Sequence, residues 1–538
     1  MTSQEFKEKA TTLIDDLKAV CANAGLGNDG NEFKIITQVF LYKFLNDKFA
    51  YEIKKLDPKL KKSKSWEEDL KAMDKDDYDL LLMQLPPGTA KLEPSHFVSH
   101  LFGQQNKKNF AKLFDSTLLK IAEINSDIFS VQTNDGEKIV LFNEVTQFVA
   151  SERDKFAKAI INKLGDSLSF EKIFSEKFDF YATLFEYLIK DYNKDGGGKY
   201  AEYYTPHAVS KIMAACLVTK KVKNVSCYDP SAGSGTLLMN LAHAIGEDRC
   251  ALYTQDISQK SSSLLRLNLI LNNLVHSIPN VIQGNTILEP YHKDGTALKK
   301  FDYIVSNPPF KLDFSDFRNQ LDCKANKDRF FAGIPNIPNK AKDKMAIYSL
   351  FLQHIIKSLG PKGKAAVVVP TGFITALSGI DKGIRKHLVE NRMLGGVVSM
   401  PSNIFATTGT NVSILFIDST NKDKVILIDA SGLGEKVKEG KNQKTLLSFD
   451  DEQIIIDTFN SKESIEDFSV AVNYEDIEAK SFSLSAGQYF DVNIEHVEIS
   501  QTEFGEKILS SKEKLKTLSS LGKKLDTEIL NLLDRLEL

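Results

Sequence analysis

The chain has 538 residues, with 69 lysines and arginines against 72 aspartates and glutamates, so its formal net charge is −3. This balance argues against a protein that binds nucleic acid through a strongly basic surface of its own, although a local basic face is compatible with it. The sequence shows no membrane-spanning apolar run and no signal peptide, and its five scattered cysteines form no CxxC pair. The composition predicts a cytoplasmic, multi-domain globular protein with no membrane association, zinc site or disulfide framework.

The first third of the chain is predicted to be helical. Apolar residues recur at helical spacing over 6–20, 32–56, 110–129 and 145–164, with charged residues between them. A helical domain packed on itself accounts for this pattern without a dedicated binding surface. We therefore assign residues 1–165 to an N-terminal helical domain.

A glycine-rich break precedes the next part of the chain. Residues 170–190 have a further helical pattern, and residues 194–199 read KDGGGK, which is typical of a flexible connection. Beyond it, Thr205 can cap and Pro206 can open a helix predicted over 207–217.

From about residue 222, strand patterns alternate with helical ones. The predicted strands are Val225–Asp229, Ala251–Asp256, Asn280–Gln283, Phe301–Ser306, Lys364–Val369, Gly395–Met400, Val412–Ile417 and Lys424–Asp429. The predicted helices between them are Thr236–Ile245, Ser258–Leu274, Ala346–Leu359 and Ile380–Val389. This alternation predicts an α/β domain over residues 166–435, built on a largely parallel, doubly wound sheet.

The pattern weakens after residue 430. Residues 433–445 are predicted to form a charged loop and 450–460 a helix, within a C-terminal extension over 436–501. Residues 502–538 have the pattern of one long helix. Its apolar residues at heptad-like spacing are Leu515, Leu518, Leu525, Ile529, Leu532 and Leu536, with Gly522 interrupting the series. Such a helix packs either on its own domain or on a helix of a partner.

A tetrapeptide with a polar amide and an aromatic ring follows one predicted strand. Asn307-Pro308-Pro309-Phe310 comes directly after Phe301–Ser306, and its two prolines end the strand because neither can donate to a ladder. Open α/β sheets bind their ligands at the carboxyl ends of their strands. The tetrapeptide is therefore a candidate site, although alone it is also compatible with a simple strand ending.

A glycine-containing turn follows the first predicted strand and opens a helix. Residues 229–236 read DPSAGSGT, which is neither GxGxxG nor a P-loop sequence. Glycines at such a position let a ligand lie against the backbone at a helix N-terminus, although a plain tight turn also fits.

Polar residues also end the second and third predicted strands. An acidic residue in the place of Asp256 typically accepts hydrogen bonds from ribose hydroxyls, although it can also be only a helix N-cap. Asn285 follows the third strand, where an adenine ring would lie, and its amide can donate and accept. Together with the turn, these residues indicate a ligand with an adenosine part.

The order of these motifs resembles that of the S-adenosylmethionine-dependent amino-methyltransferases of DNA. Further segments resemble one family among them: EYYTP at 202–206, RLNL at 266–269, KMAIYSLFLQHII at 344–356, GKAAVVVPTGFI at 363–374, IRKHLVEN at 384–391 and MPSNIFATTGTNVSILFI at 400–417. That family is the modification subunit of type I restriction–modification enzymes. The resemblance covers about 170 to 430 and implies a Rossmann-like class I methyltransferase domain, preceded by a helical domain and followed by a helical tail.

The resemblance also implies roles for individual residues. The cofactor, S-adenosylmethionine, would be bound by Tyr204, Thr205, Pro206, Asp229, Ser231, Gly233, Ser234, Gly235, Thr236, Asp256 and Asn285. The catalytic residues would be Asn307, Pro308, Pro309 and Phe310. The family often has another glycine or a cysteine within the turn, and many members have aspartate in the place of Asn285.

The implied substrate is double-stranded DNA, in which adenine is flipped out and methylated on its N6 amine. The implied partners are a specificity subunit bound by two copies of this chain, with the helix over 502–538 as candidate contact, and a restriction subunit that can join them. The alternatives are an NPP-type methyltransferase of protein glutamine or RNA, and a subunit that has lost activity. A methyltransferase that chooses its own site ranks low, because no recognition module is evident after residue 430.

The remaining charged and aromatic residues are less informative. The loop after the tetrapeptide is either a DNA-facing loop or a solvated connection, and it contains Lys324, Lys327, Arg329, Phe330 and Phe331. We expect His207 and His354, which lie in helical patterns, to be structural.

Overall fold

The computed structural model describes residues 3–27, 30–166, 169–172, 174, 205–405, 411–439, 442–490 and 500–533. The chain divides into two compact units, Met1–Tyr489 and Phe490–Leu538. No helix in the described ranges is long and apolar enough to cross a membrane. The domain boundaries predicted at 165 and 435 stay predictions.

The N-terminal region is mainly helical, as predicted. Its α-helices are Ser3–Asn23, Gly30–Leu56, Pro58–Lys62, Trp66–Ala72, Lys75–Met83, Val98–Gln104, Phe110–Ile124, Ser126–Phe129 and Arg153–Gly165. Gly30–Leu56 lies at the centre, since it buries side chains on most of its faces, including Phe40, Phe44 and Phe49. A helix buried on most sides packs in the core of its domain.

This region also contributes a hairpin that the helical prediction missed. Strand β1, Val131–Thr133, pairs with β2, Lys138–Ile139, around a turn that contains Gly136 at a φ of +82°. Strands of two and three residues are too short for an alternating apolar pattern to reveal them.

The second half of the unit contains the remaining strands of the main sheet and most of the other helices. The strands are β3 Val225–Asp229, β4 Cys250–Asp256, β5 Val281–Gln283, β8 Phe301–Ser306, β9 Leu359–Pro370, β10 Leu394–Ser399, β11 Val412–Asp418, β12 Val425–Asp429 and β15 Ser469–Val472. Two separate hairpins pair β6 Lys293–Asp294 with β7 Ala297–Leu298, and β13 Glu435–Glu439 with β14 Asn442–Leu446. The α-helices are His207–Leu217, Thr236–Ile245, Gln259–Leu271, Ser315–Leu321, Tyr348–Ser358, Gly372–Thr375, Gly379–Glu390, Phe449–Ser461 and Tyr474–Ala479.

Within the described residues, the main sheet has eleven strands in the order β15-β12-β10-β11-β9-β8-β3-β4-β5-β1-β2. All neighbours from β9 across to β1 are parallel, whereas β11 runs antiparallel to both β9 and β10. The chain moves outward from β3 to β5 in one direction and resumes on the other side of β3 with β8. The reversal between β3 and β8 is the topological switch point, where open α/β sheets bind ligands.

All eight predicted strands are present, and β3 and β8 have the predicted bounds. The charged loop predicted over 433–445 is wrong, because this segment forms most of the hairpin β13–β14. Its strand sequences, EKVKE and NQKTL, are mostly polar on both faces, so they lack the apolar alternation typical of strands.

The described part of the second unit contains one long helix, Gln501–Leu533, which agrees with the predicted start at 502. None of the helical side chains that the structure describes is buried. Leu536 lies outside the described residues.

Candidate active site

The glycine turn and the NPPF tetrapeptide meet at the switch point. The Ser306 hydroxyl, at the end of β8, lies 2.7 Å from the Ser231 hydroxyl in the turn after β3. The Ser231 amide in turn donates to the Asp229 carboxylate at 3.0 Å. These contacts hold the ends of β3 and β8 together, which are far apart in sequence.

The conformation of the turn requires glycine. Gly233 and Gly235 both have positive φ, +53° and +86°. A Cβ at Gly235 would also overlap the Leu265 side chain of the helix Gln259–Leu271. The same helix supports the turn through Asn268, whose buried Nδ2 donates to the Ser234 carbonyl at 2.7 Å. The helix Gln259–Leu271 therefore packs against the turn and fixes its conformation.

Asp256, at the end of β4, links that strand to the glycine turn. One carboxylate oxygen accepts from the Gly233 amide at 2.9 Å, and the other accepts from the Ser258 amide at 2.9 Å. Each oxygen keeps a further lone pair, so the carboxylate can also accept hydroxyl protons from a ligand. Burial raises the pKa of Asp256, against the effect of these two hydrogen bonds.

Asp229 is almost fully buried at the end of β3. Burial, together with the charge of Asp256, raises the pKa of Asp229 to about 7, against the hydrogen bonds from Ser231 and Ser306. Two enclosed carboxyl groups that repel each other favour a cationic ligand, because a nearby positive charge stabilises both in their ionised form.

This acidic pair predicts how stability depends on pH. The Asp229 pKa is higher in the folded state than its ordinary value of 3.8, so the folded chain binds more protons between about pH 4 and about pH 7, and stability falls as pH rises through that window. We expect Asp229→Asn to make the melting temperature of the ligand-free chain fall less steeply between about pH 4 and about pH 7. Thermal unfolding followed by circular dichroism measures both slopes. Equal slopes for the two proteins would contradict this account of Asp229.

Asn285 lies at the end of β5, but its carbonyl has a local role. Its Oδ1 accepts from the amides of Ile287 and Leu288, at 3.0 and 3.1 Å. This arrangement uses the oxygen to shape the turn after β5, so a contact with a ligand falls to Nδ2. The predicted contact with adenine stays a prediction.

Asn307 is oriented by Thr205, which precedes the helix His207–Leu217. Its Nδ2 donates to the Thr205 hydroxyl at 3.1 Å, and Thr205 is buried next to Pro206. The amide oxygen of Asn307 is left to accept from another group. Tyr204, which was predicted to lie beside these residues, is outside the described residues.

Phe310 is half-buried and belongs to a row of three aromatic rings. Its ring meets that of Tyr348 edge to face at 6.3 Å, and Tyr348 meets Phe373 in the same way at 6.3 Å. The Tyr348 hydroxyl donates to Asp381 at 2.6 Å. The sequence reasoning did not select Tyr348, although it lies in one of the segments that carried the resemblance. Pro308 is buried and Pro309 is exposed.

The loop after the tetrapeptide was expected either to face DNA or to be a solvated connection. Both expectations are wrong for two of its residues, Arg329 and Phe330. Arg329 is buried, and its guanidinium donates to the carbonyls of Thr286 and Ile287, each at 2.7 Å. Phe330 is also buried. These side chains fasten the loop to the segment after β5. Lys324 and Lys327 remain exposed.

His354 is structural, as expected. It is buried, and its two ring nitrogens lie 3.1 Å from the Tyr228 hydroxyl and 3.2 Å from Arg329 Nε. Burial and the positive charge of Arg329 lower the pKa of His354 well below its ordinary value.

Curated relatives of the chain are methylase subunits of type I restriction enzymes. Among the chain's curated relatives, the methylase subunit of the type I restriction enzyme MpnII from Mycoplasma pneumoniae is 29% identical over 345 residues, which is 62% of this chain and 61% of the relative. The MjaIX methylase subunit from Methanocaldococcus jannaschii is 28% identical over 397 residues, 70% of this chain and 66% of the relative. The matched region thus spans slightly less than two thirds of each relative.

Solved structures share the fold. The methyltransferase subunit of a type I restriction–modification system from Streptococcus thermophilus has a TM-score of 0.68 at 21% identity, covering 91% of this chain and all of that one. A modification subunit of a putative type I restriction enzyme from Vibrio vulnificus has a TM-score of 0.54 at 16% identity, covering 89% of this chain and 96% of that one. The N-6 DNA Methylase model matches residues 176–497, more than half of the sequence, and the chain belongs to that family.

Proposed function

We propose that this chain methylates the N6 amine of adenine in DNA, as the modification subunit of a type I restriction–modification system. The observation that supports this most directly is the pairing of Asn307, at the end of β8, with a glycine turn and two enclosed carboxyl groups across the switch point. The named activities of the curated relatives agree with it.

The donor set fits S-adenosylmethionine, which would supply a methyl group already activated on a positively charged sulfur. The methionine part would lie on the turn formed by Asp229, Ser231, Gly233, Ser234, Gly235 and Thr236. Asp256 would accept from the ribose hydroxyls, and Asn285 would contact the adenine ring through Nδ2. Tyr204, Thr205 and Pro206 would close over the cofactor. The glycine turn and the two carboxyl groups suit a ligand with hydroxyl groups and positive charge.

The tetrapeptide would act on the target base. The adenine amine would donate to the Asn307 amide oxygen and to the Pro308 carbonyl. Two acceptors draw the amine toward tetrahedral geometry, so that its lone pair can point at the methyl group. The hydrogen bond from Asn307 Nδ2 to Thr205 supports this role, because it leaves the amide oxygen to accept. Phe310 would stack on the base, and catalysis would come from positioning and fixed dipoles.

A lysine-rich turn beside the tetrapeptide suits the DNA backbone. The amide of Leu312 donates to the Met345 carbonyl at 3.1 Å, which brings the turn before Met345 next to the segment that follows Phe310. Four exposed lysines lie on these two segments: Lys311, Lys340, Lys342 and Lys344. We propose that this lysine cluster contacts phosphates next to the flipped adenine, in place of the loop around Arg329.

Charge reversal tests the lysine cluster. We expect Lys342→Glu with Lys344→Glu to lower DNA methylation by the assembled enzyme about tenfold or more near 150 mM salt, and to flatten its dependence on salt. The control reverses Lys324 and Lys327, two exposed lysines of the other loop. A larger loss of DNA methylation in the control would mean that the DNA contact lies on that loop instead.

The rest of the assembly follows from the same proposal. A specificity subunit would choose the DNA sequence and bind two copies of this chain, the helix Gln501–Leu533 would contact it, and a restriction subunit can join. All five cysteines are free and four are buried, which suits the reducing cytoplasm.

The decisive experiment measures transfer of tritiated methyl groups by the chain co-expressed with the products of its neighbouring genes. Label should appear in N6-methyladenine of double-stranded DNA. Label in RNA or in protein glutamine would support the alternative enzyme class. Failure to bind S-adenosylmethionine in calorimetry would instead indicate a subunit without activity.

A further inference from the structure

The N-terminal hairpin extends the sheet on the side where the cofactor's adenosine part would bind. Strand β1 pairs in parallel with β5, with Gln132 opposite Ile282 and Thr133 opposite Gln283. The carboxyl end of β1 therefore lies at the same edge as the ends of β4 and β5. The residue that follows β1 at this edge is Asn134.

Asn134 connects to both neighbouring strand ends. Its amide donates to the Gln283 carbonyl at 3.0 Å, beside the Gly284-Asn285 pair. Its Oδ1 accepts from Gln255 Nε2 at 3.0 Å, and Gln255 directly precedes Asp256. Its Nδ2 donates to the Glu289 carbonyl at 3.3 Å. One side chain of the N-terminal region thus bridges the segments that hold Asp256 and Asn285.

Gln255, the partner of Asn134 in the α/β domain, is buried, and both polar atoms of its side chain are hydrogen-bonded. Gln255 is completely buried, its Nε2 also donates to the Glu289 carbonyl at 2.8 Å, and its Oε1 accepts from the Tyr291 amide at 3.0 Å. A Cβ at Gly284 would overlap the Asn134 amide. The close approach of Asn134 therefore accounts for glycine at position 284, whose φ imposes no such requirement.

A buried arginine holds the hairpin against the same domain. Arg266 lies in the RLNL segment, on the helix whose Asn268 supports the glycine turn. Its guanidinium donates to the carbonyl of Ile139 at 2.8 Å, with longer contacts to the carbonyls of Phe129 and Leu141. These carbonyls flank the hairpin on both sides. The RLNL segment thus contacts both the cofactor turn and the N-terminal region.

We propose that Asn134 is a positioning residue for the cofactor, whose side chain acts through Gln255 on Asp256 and through Glu289, whose amide donates to the Asn285 carbonyl, on Asn285, so that the N-terminal region completes the adenosine end of the site. This inference rests on the proposed function. It does not require Asn134 to touch the cofactor.

The test is calorimetric binding of S-adenosylmethionine to the full-length chain. Asn134→Ala should weaken binding about tenfold, since it removes the side-chain bonds to Gln255 and to the Glu289 carbonyl while the backbone bond to Gln283 stays. The Michaelis constant for the cofactor should rise by a similar factor, with little change in the rate at saturating cofactor. The matched control is Asn143→Ala. Asn143 is an exposed asparagine of the same region, and its hydrogen bond to Gln38 is donated by its backbone amide, which alanine keeps.

A double-mutant cycle separates this role from a general loss of stability. Gly284→Ala alone should weaken binding because its methyl group collides with Asn134. Adding Asn134→Ala removes the collision, so the double variant should bind as Asn134→Ala does, rather than more weakly. Strict additivity would contradict the contact.

Each outcome bears on one proposal. Unchanged affinity in folded Asn134→Ala overturns the inference. If that variant fails to fold, Asn134→Asp provides the test. It differs from the wild type by one atom, which places an oxygen against the Glu289 carbonyl, and it should weaken binding about threefold. An affinity equal to that of the wild type would again overturn the inference. Failure of the wild-type chain itself to bind the cofactor refutes the proposed function instead.

Discussion

Replacing Asn307 with alanine should lower the rate of methyl transfer by a factor on the order of a hundred to a thousand, comparable to the loss of an oxyanion-hole donor. The substitution removes one of the two acceptors proposed to hold the target amine. It should leave the affinity for S-adenosylmethionine within about twofold, because the glycine turn and Asp256 are held by other bonds. Single-turnover transfer from tritiated cofactor measures the rate, and calorimetry measures the affinity.

Two further variants test which atom of Asn307 is used. Thr205→Val removes the partner of Nδ2 but keeps the amide oxygen, so it should lower the rate only about tenfold through loss of orientation. Asn307→Asp keeps an acceptor and should retain more activity than alanine. If folded Asn307→Ala lost cofactor binding and transfer together, Asn307 would belong to the cofactor site and the assignment would be wrong.

The centre of the sheet could be predicted because each of its strands is a short, β-prone run with a marked ending. Strand β8 ends at two prolines and β3 at a glycine turn, and both bounds were predicted correctly. β3 and β8 are neighbours on the two sides of the switch point, and the right-handed crossover rule sets the faces on which the connecting helices pack. The contact between Ser306 and Ser231 could not be read from the sequence, since hydroxyl pairing leaves no pattern.

The missed features have a common physical cause. Arg329 was predicted to lie either in a DNA-facing loop or in a solvated connection, but its guanidinium donates to two backbone carbonyls, and carbonyl acceptors are present at every residue. Arg266 is buried against carbonyls in the same way. The short hairpin that presents Asn134 is stabilised by these tertiary contacts rather than by its own apolar pattern. Sequence patterns report local preferences, and such links between distant segments lie outside them.

Removal of the C-terminal helix should abolish assembly with the specificity subunit. The helix Gln501–Leu533 carries apolar residues at alternating spacings of four and three, with Ser511 and Gly522 in the series. The large members are all more than half exposed: Phe504, Ile508, Leu515, Leu518, Leu525, Ile529 and Leu532. Such a seam is typical of a helix that pairs with another helix. A chain that ends before Thr502 should still bind cofactor, because Met1–Tyr489 forms a compact unit by itself.

Point variants separate the seam from the helix as a whole. Leu518→Glu with Leu525→Glu should weaken the complex at least about a hundredfold, since each of these two leucines would contribute about 1.5 kcal/mol or more when the partner helix buries it. Leu530→Glu is the matched control, because Leu530 is similarly exposed but lies next to the seam residue Ile529 and off the seam. Size-exclusion chromatography with light scattering measures the assembly. A complex that survived truncation, or that Leu530→Glu disrupted as strongly, would mean that the subunit contact lies on another surface.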